Sequence, residues 1–285
     1  MPELPEVEIV KQSLKKTVLF KRILKVIVNN KNLRFKIQNN FEGNLKNKKI
    51  LKILRIAKYI ILELNGNTFL VVHFGMSGTF HYLNNRNLKR TNLSFYHSQI
   101  IPNKHNHIEI IFSNFKIVYN DPRRFGFFFY FNSKKKLNKY LNKNGLDPLN
   151  IKFNPEYIKS KIKNRSKNIK NILLDQKIIS GIGNIYASEI LFYSKIKPTR
   201  KGKNIKNYEI SRLFKNSKFV LKKAIRKGGS SIRNFKDTKG NEGSYQNEFK
   251  VYDKENKLCP NKCSFKIKKI TISNRSSFYC KNCQK

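Results

Sequence analysis

Residues 173–191 read LLDQKIISGIGNIYASEIL, and this stretch decides how the rest of the chain is parsed. Apolar residues at Ile169, Ile172, Leu173 and Leu174 lead into it at helical spacing, and the run IYASEILFYSKI overlaps its end and continues beyond it. Between the two lie Gly181, Ile182, Gly183 and Asn184, whose glycines permit a sharp reversal. The pattern predicts two helices joined by a tight turn. Backbone N–H groups left free at the start of the second helix attract an anion, above all a phosphate. Two glycines between helices can equally be a plain turn, so the partner must be argued from the rest of the chain.

Composition supplies that argument. The 285 residues carry 61 Lys and Arg against 17 Asp and Glu, a formal net charge of +44, which points to a polyanion and first of all to nucleic acid. Lys, Ile and Asn are abundant along the whole chain, so many single lysines are simply solvated. A hydrophobic fraction of 39% with 12% aromatics excludes a disordered chain. No apolar run approaches the roughly 18–20 residues of a membrane span, and the acidic N-terminus is no signal peptide.

Working outward, a longer helix is predicted over residues 208–227, ended by Gly228 and Gly229, so that 150–229 reads as an all-helical domain. Upstream, LNKNGLDPL marks a linker, taken as 135–149. Before it, RILKVIVNN, KILRIAKYIILEL, TFLVVHFG, HIEIIFS, FKIVYND and FGFFFYF are short β-rich runs separated by Gly, Asn and Ser, the pattern of a β-sandwich. Leu4, Val7, Leu14 and Val18 place an amphipathic helix in front of them, with Pro5 in its first turn. Downstream, NFKDTKGNEGSYQNEF has loop chemistry within 230–250, and the remaining residues, 251–285, hold all the cysteines. The expected fold class is α+β and multidomain: an N-terminal β-sandwich with flanking helices over 1–134, the helical domain, and a C-terminal cysteine hairpin.

The cysteines form two close pairs, Cys259 with Cys263 and Cys280 with Cys283, sixteen residues apart. Such thiolates suit a tetrahedral, structural Zn²⁺ at the two ends of a β-hairpin, and point to a reducing, cytoplasmic compartment more than to secreted disulfides. Arg275 falls near the hairpin tip, where its guanidinium either meets a phosphate bidentately or is solvated. HFGMSG and DPRRFG set Met76, Arg123, Arg124 and Phe125 beside turns at strand ends. Apolar side chains next to arginines can wedge into a base stack; the alternative is that they are core.

The N-terminus, MPELPEVE, holds three of the 17 acids, Glu3, Glu6 and Glu8. Methionine before proline is a candidate for removal, which leaves a secondary amine at Pro2. A terminal amine titrates near about 8 and lysine near about 10.4, so the former is a ready nucleophile at neutral pH for an aldehydic sugar carbon. Glu3 beside it can move protons. The competing reading is a helix start whose acids complement the dipole.

MPELPEVE, the AKY containing Lys58, HFGMSG, NDPRRFG, LLDQKIISGIGNIYASEIL and the tail ending FYCKNCQK occur in an order that resembles the bacterial formamidopyrimidine-DNA glycosylase family over the whole chain. PELPEVE looks more like this family than its sister, endonuclease VIII. The resemblance implies a bifunctional enzyme that removes oxidised purines, chiefly 8-oxoguanine and formamidopyrimidines, from double-stranded DNA and nicks the strand by β,δ-elimination. It implies a helix-two-turn-helix DNA-binding domain, a zinc finger holding one structural Zn²⁺, and a monomer working in the cytoplasm on nucleoid DNA. Pro2 matches the Schiff-base nucleophile, Glu3 its proton donor and acceptor, Lys58 the lysine serving both steps, and Arg275 the phosphate-gripping hairpin arginine. Lys58 falls in a turn between strands, where a lone lysine faces solvent on sequence grounds.

The same resemblance matches His105, Arg123 and Arg165 to DNA-contacting positions, and Met76, Arg123 and Phe125 to the trio filling the void left by a flipped base. Lys170 and Asn184 match phosphate-holding residues, Glu6 an acid near the lesion pocket, and residues 237–245 the lesion-capping loop. The chain departs from the family in the three residues between Cys259 and Cys263, in Phe74, and in Asn274, Ser276 and Ser277. Three other classes remain: an endonuclease VIII-like glycosylase for oxidised pyrimidines, a noncatalytic DNA-binding zinc protein, and a basic RNA-binding protein, although no aromatic RNA platform is evident.

Overall fold

The computed structural model describes residues 2–84, 91–92, 103–230 and 243–285. They divide into two compact units, one drawn from Met1–Asn142 and Lys227–Ser244, the other from Lys143–Arg226 and Tyr245–Lys285. The first begins with helix α1 (Leu4–Val18), started by Pro5 in its first turn. Its strands are β1 (Lys25–Val28), β2 (Ile50–Ile56), β3 (Tyr59–Leu64), β4 (Thr68–His73), β5 (Thr79–Asn84), β6 (Thr91–Asn92), β7 (Asn106–Ile111), β8 (Phe115–Asn120) and β9 (Phe127–Phe131), with the short helix α2 (Phe41–Leu45) after β1. Two antiparallel sheets result, in the orders β2-β3-β4-β9 and β1-β7-β8-β5-β6.

Period-two alternation decides which side chains meet. Ile60, Leu62, Leu70, Val72 and Phe128 of the first sheet pack with Val26, Phe80, Ile108, Ile110 and Ile117 of the second, and α1 adds Val7, Val10, Leu14 and Val18. Each such side chain contributes about 1.5–3 kcal/mol on burial. The intervening residues Ile61, Phe69 and Val71 face the other way, against Leu137 and Leu141. Those two leucines belong to helix α3 (Lys134–Leu141), so the stretch read as linker from residue 135 starts with a helix that covers the sheet. The Ser133 hydroxyl caps it by accepting from Lys136 N, and leucines four apart give it one apolar face.

In the second unit, α4 (Pro155–Ile162) and α5 (Ile169–Leu174) are capped by Asn154 and Asn168, whose side chains accept from the N–H groups of Tyr157 and Asn171. Helix α6 (Asn184–Tyr193) is buried almost throughout, and α7 (Asn207–Arg226) closes the helical part. The tail forms a hairpin, β10 (Ile267–Ile272) and β11 (Arg275–Cys280), paired from Ile267 with Cys280 to Ile272 with Arg275. Helices and hairpin, read as separate domains from the sequence, share this unit. Buried Glu189 on α6 accepts from the N–H groups of Lys250, Val251 and Tyr252 at 2.9, 3.0 and 2.9 Å, which clamps the approach to the hairpin. Burial raises its pKa in spite of these three donors. Most of the predicted capping loop, residues 231–242, lies outside the described residues. Among the described residues no helix is long and apolar enough to cross a membrane.

One glycine joins the sheets to the loops above them. A Cβ at Gly126 would lie 1.8 Å from Tyr119 Oη and 2.7 Å from the His73 carbonyl oxygen. Gly126→Ala is therefore expected to lower stability by about 2 kcal/mol through overpacking, read as a lower urea midpoint at unchanged slope.

Candidate active site

At the start of α1, Pro2, Glu3 and Glu6 are all buried. Glu3 N donates to Glu6 Oε2 at 2.9 Å, which spares one of the N–H groups that open a helix from being unpaired. Glu6 Oε1 accepts from both the N–H and the hydroxyl of Ser230, each at 2.9 Å. The acid assigned to the lesion pocket therefore also fastens Ser230, the residue from which the chain enters 231–242. Met1 lies outside the described residues.

Lys58 occupies the two-residue turn between β2 and β3, as expected, but not facing solvent: it is 6% exposed. Its charge reaches His73. Burial first, then Lys58 and Arg34, push the His73 pKa down to about 3, so this imidazole is neutral at pH 7. His73 Nδ1 accepts from Gly75 N at 3.1 Å and its ring stacks on Phe127.

Gly75 has φ +62, and a Cβ there would lie 2.3 Å from the Phe125 carbonyl carbon, so only glycine lets the HFGMSG and DPRRFG loops touch. At their tips Met76 and Phe125 are 42% and 41% exposed, not core. The Arg123 guanidinium lies over the Phe125 ring at 4.7 Å. Beneath them sits Asp121, with no exposed surface. Its Oδ1 accepts from Ser77 Oγ and from Arg123 N, the latter at 3.3 Å, and its Oδ2 from Tyr119 Oη at 3.0 Å and Gly126 N at 2.8 Å. Asp121 N donates to the His105 carbonyl at 3.0 Å, and His107 Nε2 donates to the Asp121 carbonyl at 2.8 Å. Asp121 thus sets the loops that carry Met76, Arg123 and Phe125 through its carboxylate, and the backbone of His105 through its own N–H. Sequence reasoning missed it. Its signal was an acid beside a Pro-Arg-Arg turn in a chain poor in acids. The His105 imidazole is partly exposed, with a pKa lowered by partial burial and then by Lys104 and His107. A cavity of about 810 Å³ opens beside the loops, lined among others by Arg34, His73, Met76, Arg123, Arg124 and Phe125.

In the second unit the Gly181 turn is built by Gln176, whose Oε1 accepts from Gly181 N at 2.8 Å while its Nε2 donates to the Ile182 carbonyl at 2.8 Å. The turn delivers Asn184 to the first position of α6. Asn184 Nδ2 donates to the Ser276 carbonyl at 3.0 Å, and Lys170 Nζ donates to the same carbonyl at 2.8 Å and to Ser277 Oγ at 2.6 Å. Lys170 is fully buried. The two residues matched to phosphate holding thus converge on the backbone beside Arg275, which is itself exposed. Ser273 and Asn274 close the hairpin with φ +48 and +59, the geometry of a two-residue turn whose twist suits antiparallel strands. Arg165 is exposed, its Nε bonded to the Lys161 carbonyl at 2.7 Å, and does not join this cluster.

Cys259, Cys263, Cys280 and Cys283 bring their sulfur atoms within 4.8 Å of one another. The separations of 3.7 Å for Cys259 and Cys283 and 3.5 Å for Cys263 and Cys280 approach the about 3.8 Å between tetrahedral ligands each about 2.3 Å from a zinc ion. All four thiols are free of disulfides, and the third residue between Cys259 and Cys263 has not parted the set.

Family models carry the comparison further. The formamidopyrimidine-DNA glycosylase N-terminal domain matches residues 1–128 and the formamidopyrimidine-DNA glycosylase H2TH domain residues 145–236. Sandwich, helical turn and cysteine hairpin in one chain are the build of a DNA glycosylase of base-excision repair. Formamidopyrimidine-DNA glycosylases of Wolbachia sp. subsp. Drosophila simulans and of Rickettsia bellii are 39% and 38% identical, each with 100% of both chains covered. A solved Lactococcus lactis Fpg complex with DNA containing an abasic site has a TM-score of 0.88 at 29% identity over 99% of each chain. Another, a mutant of that protein with Fapy-dG DNA, also scores 0.88 at 29%, over 100% of each. The chain belongs to the formamidopyrimidine-DNA glycosylase family.

Removing the Asp121 carboxylate strands the buried Tyr119 hydroxyl and Gly126 N–H. Asp121→Ala is expected to destabilise the fold by about 3 kcal/mol, measured by urea unfolding.

Proposed function

We propose that this enzyme excises oxidised purines, 8-oxoguanine and formamidopyrimidines, from duplex DNA through the Pro2 amine and then cleaves the strand. The observation that carries the reading is the buried start of α1, where Glu3, 3% exposed, follows directly on Pro2. A carboxyl group held there sits within one residue of the nucleophile and is shielded from water. The Lactococcus lactis complexes with abasic and Fapy-dG DNA support the substrate class.

The chemistry follows from the residue types. The Pro2 nitrogen attacks C1′ of the flipped nucleotide, the glycosidic bond breaks, and Glu3 supplies the proton that opens the sugar ring to an iminium. That cation acidifies the C2′ proton; its loss expels the 3′ phosphate, and a second elimination expels the 5′ phosphate. Lys58 serves both steps. Met76 and Phe125 wedge the stack open while Arg123 faces the orphaned base, and unstacking costs a few kcal/mol that phosphate contacts offset. His105, Arg165, Asn184 and Arg275 supply such contacts, Lys170 and Asn184 also by holding the hairpin that carries Arg275. Glu6 shapes the lesion pocket through Ser230. The enzyme acts as a monomer on chromosomal DNA in the cytoplasm.

The four cysteines hold one structural Zn²⁺, which ties the two ends of the hairpin together and supplies folding energy without entering the reaction. Metal analysis is expected to find one zinc per chain. Its removal by a strong chelator is expected to weaken binding to abasic-site DNA and to lower the unfolding temperature.

The test of the reaction is borohydride trapping on a duplex with 8-oxoguanine opposite cytosine, using protein shown by mass to lack Met1. The expected result is a covalent adduct mapped to Pro2. Binding without an adduct would overturn the assignment, and an adduct formed only on oxidised pyrimidines would move it to the endonuclease VIII-like reading. Glu3→Gln is expected to slow base excision by about a hundredfold or more in single-turnover assays, whereas Pro2→Gly, which keeps a terminal amine, retains strand cleavage at an abasic site.

A further inference from the structure

Glu8 completes the acidic opening of the chain, and Arg55 lies three residues before Lys58, yet neither has a part in the chemistry above. The two side chains meet. Arg55 Nε donates to Glu8 Oε2 at 2.8 Å, and Nη1 of the same guanidinium donates to the Ala57 carbonyl at 3.0 Å. The other Glu8 oxygen accepts from Lys11 Nζ at 2.8 Å and Gln12 Nε2 at 3.2 Å. The Arg55 and Glu8 side chains are only 8% and 14% exposed. Burial raises the Glu8 pKa, but Lys11 and Arg55 outweigh it and the net shift is downward, so the carboxylate is charged at neutral pH.

The turn that carries Lys58 needs this support. Ile56 pairs with Tyr59, leaving Ala57 and Lys58 as the two turn residues. Ala57 sits at φ +54, the left-handed region, at the first of the two positions, where glycine is the residue of choice. Its Cβ disfavours the very conformation that aims Lys58 inward. A rigid two-edged guanidinium that grips the Ala57 carbonyl on one side and helix α1 on the other counters that preference, because a planar fork bonds twice without losing further freedom. Lysine, whose three donors share one nitrogen on a flexible stem, lacks that fixed two-edged geometry. In a chain of +44 an arginine is by default a solvated or DNA-facing cation, but this one is turned into the protein and occupied there.

We infer that Arg55, anchored by Glu8, is a positioning residue that references the Lys58 turn to the helix bearing Pro2 and Glu3. The inference rests on the roles proposed above for Pro2 and Lys58. Helix α1 and the turn lie in one unit, so the tie has a fixed length: from the turn of α1 that follows the catalytic pair, through one guanidinium, to the residue before Lys58.

The test is a double-mutant cycle read by single-turnover excision of 8-oxoguanine and by cleavage of a preformed abasic site, with affinity for uncleaved DNA measured alongside. Arg55→Met is expected to slow both steps by about tenfold to a hundredfold, the range a small misplacement of a reacting group produces, with DNA affinity unchanged. Glu8→Gln is expected to act in the same direction. Arg55→Lys, which keeps the charge opposite Glu8, should fall between Arg55→Met and wild type. In a Lys58→Ala background the same substitutions are expected to cause no further loss, since residues that act through one another are not additive. If the losses multiply in full in that background, or appear wholly as weaker DNA binding, the inference is overturned. Thermal unfolding separates a misfolded Arg55→Met from a mispositioned one, and the near-isosteric Glu8→Gln carries the cycle in that case. Wild-type rates for Lys58→Ala itself would instead defeat the assignment of Lys58, and this inference with it, while leaving Pro2 trapping intact.

Discussion

A carboxylate taken fully out of water must be met by donors on every side, and Asp121 is the place where this requirement organises the first unit. Ser77, Tyr119, Arg123 and Gly126 come from two loops and the end of β8, and all of them converge on it. None of the four can leave without stranding a buried acceptor. The tips above, Met76 and Phe125, are thereby held outward against the hydrophobic tendency to fold them in. The wedge role proposed for these two side chains requires them to stay exposed before DNA arrives, and the rigidity that keeps them so lies one layer below.

The same economy of acids runs through the chain. Of the 17 carboxylates, Glu3, Glu6, Asp121, Asp147, Glu189 and Glu209 are buried, and Glu8 is mostly so. Each fastens a helix start, a loop or an approach to the hairpin. With these anions turned inward, the excess of Lys and Arg behind the net charge of +44 dominates the outside, which favours rapid, strongly salt-dependent association with DNA. The acids that open the chain and the excess of basic residues elsewhere are thus parts of one arrangement.

Much of this was legible in the sequence, because periodicity and turn chemistry are local. The aromatic run FGFFFYF led to β9, the glycines after residue 227 to the end of α7, and the cysteine spacing to a hairpin whose sulfurs lie together. What escaped depends on contacts distant in sequence. Lys58 sits in a turn, where a lysine faces water by default, and only the packing of the surrounding unit buries it. Lys170 reads as a free cation until the hairpin, more than a hundred residues on, offers it Ser276 and Ser277. Residues 135–141 read as linker because they run without a break into LNKNGLDPL, yet two leucines at the right spacing suffice to seat a helix on a sheet.

Lys170 and Asn184 meet the hairpin mainly at the carbonyl of Ser276. A main-chain oxygen is present whatever side chain stands at that position. The hairpin's seat on the helices is therefore largely insulated from sequence change at residue 276, and the chain can carry serine there, beside Arg275, without giving up the seat. Drift toward lysine- and asparagine-rich composition can run through the neighbouring surface while the frame that presents Arg275 is written in backbone atoms.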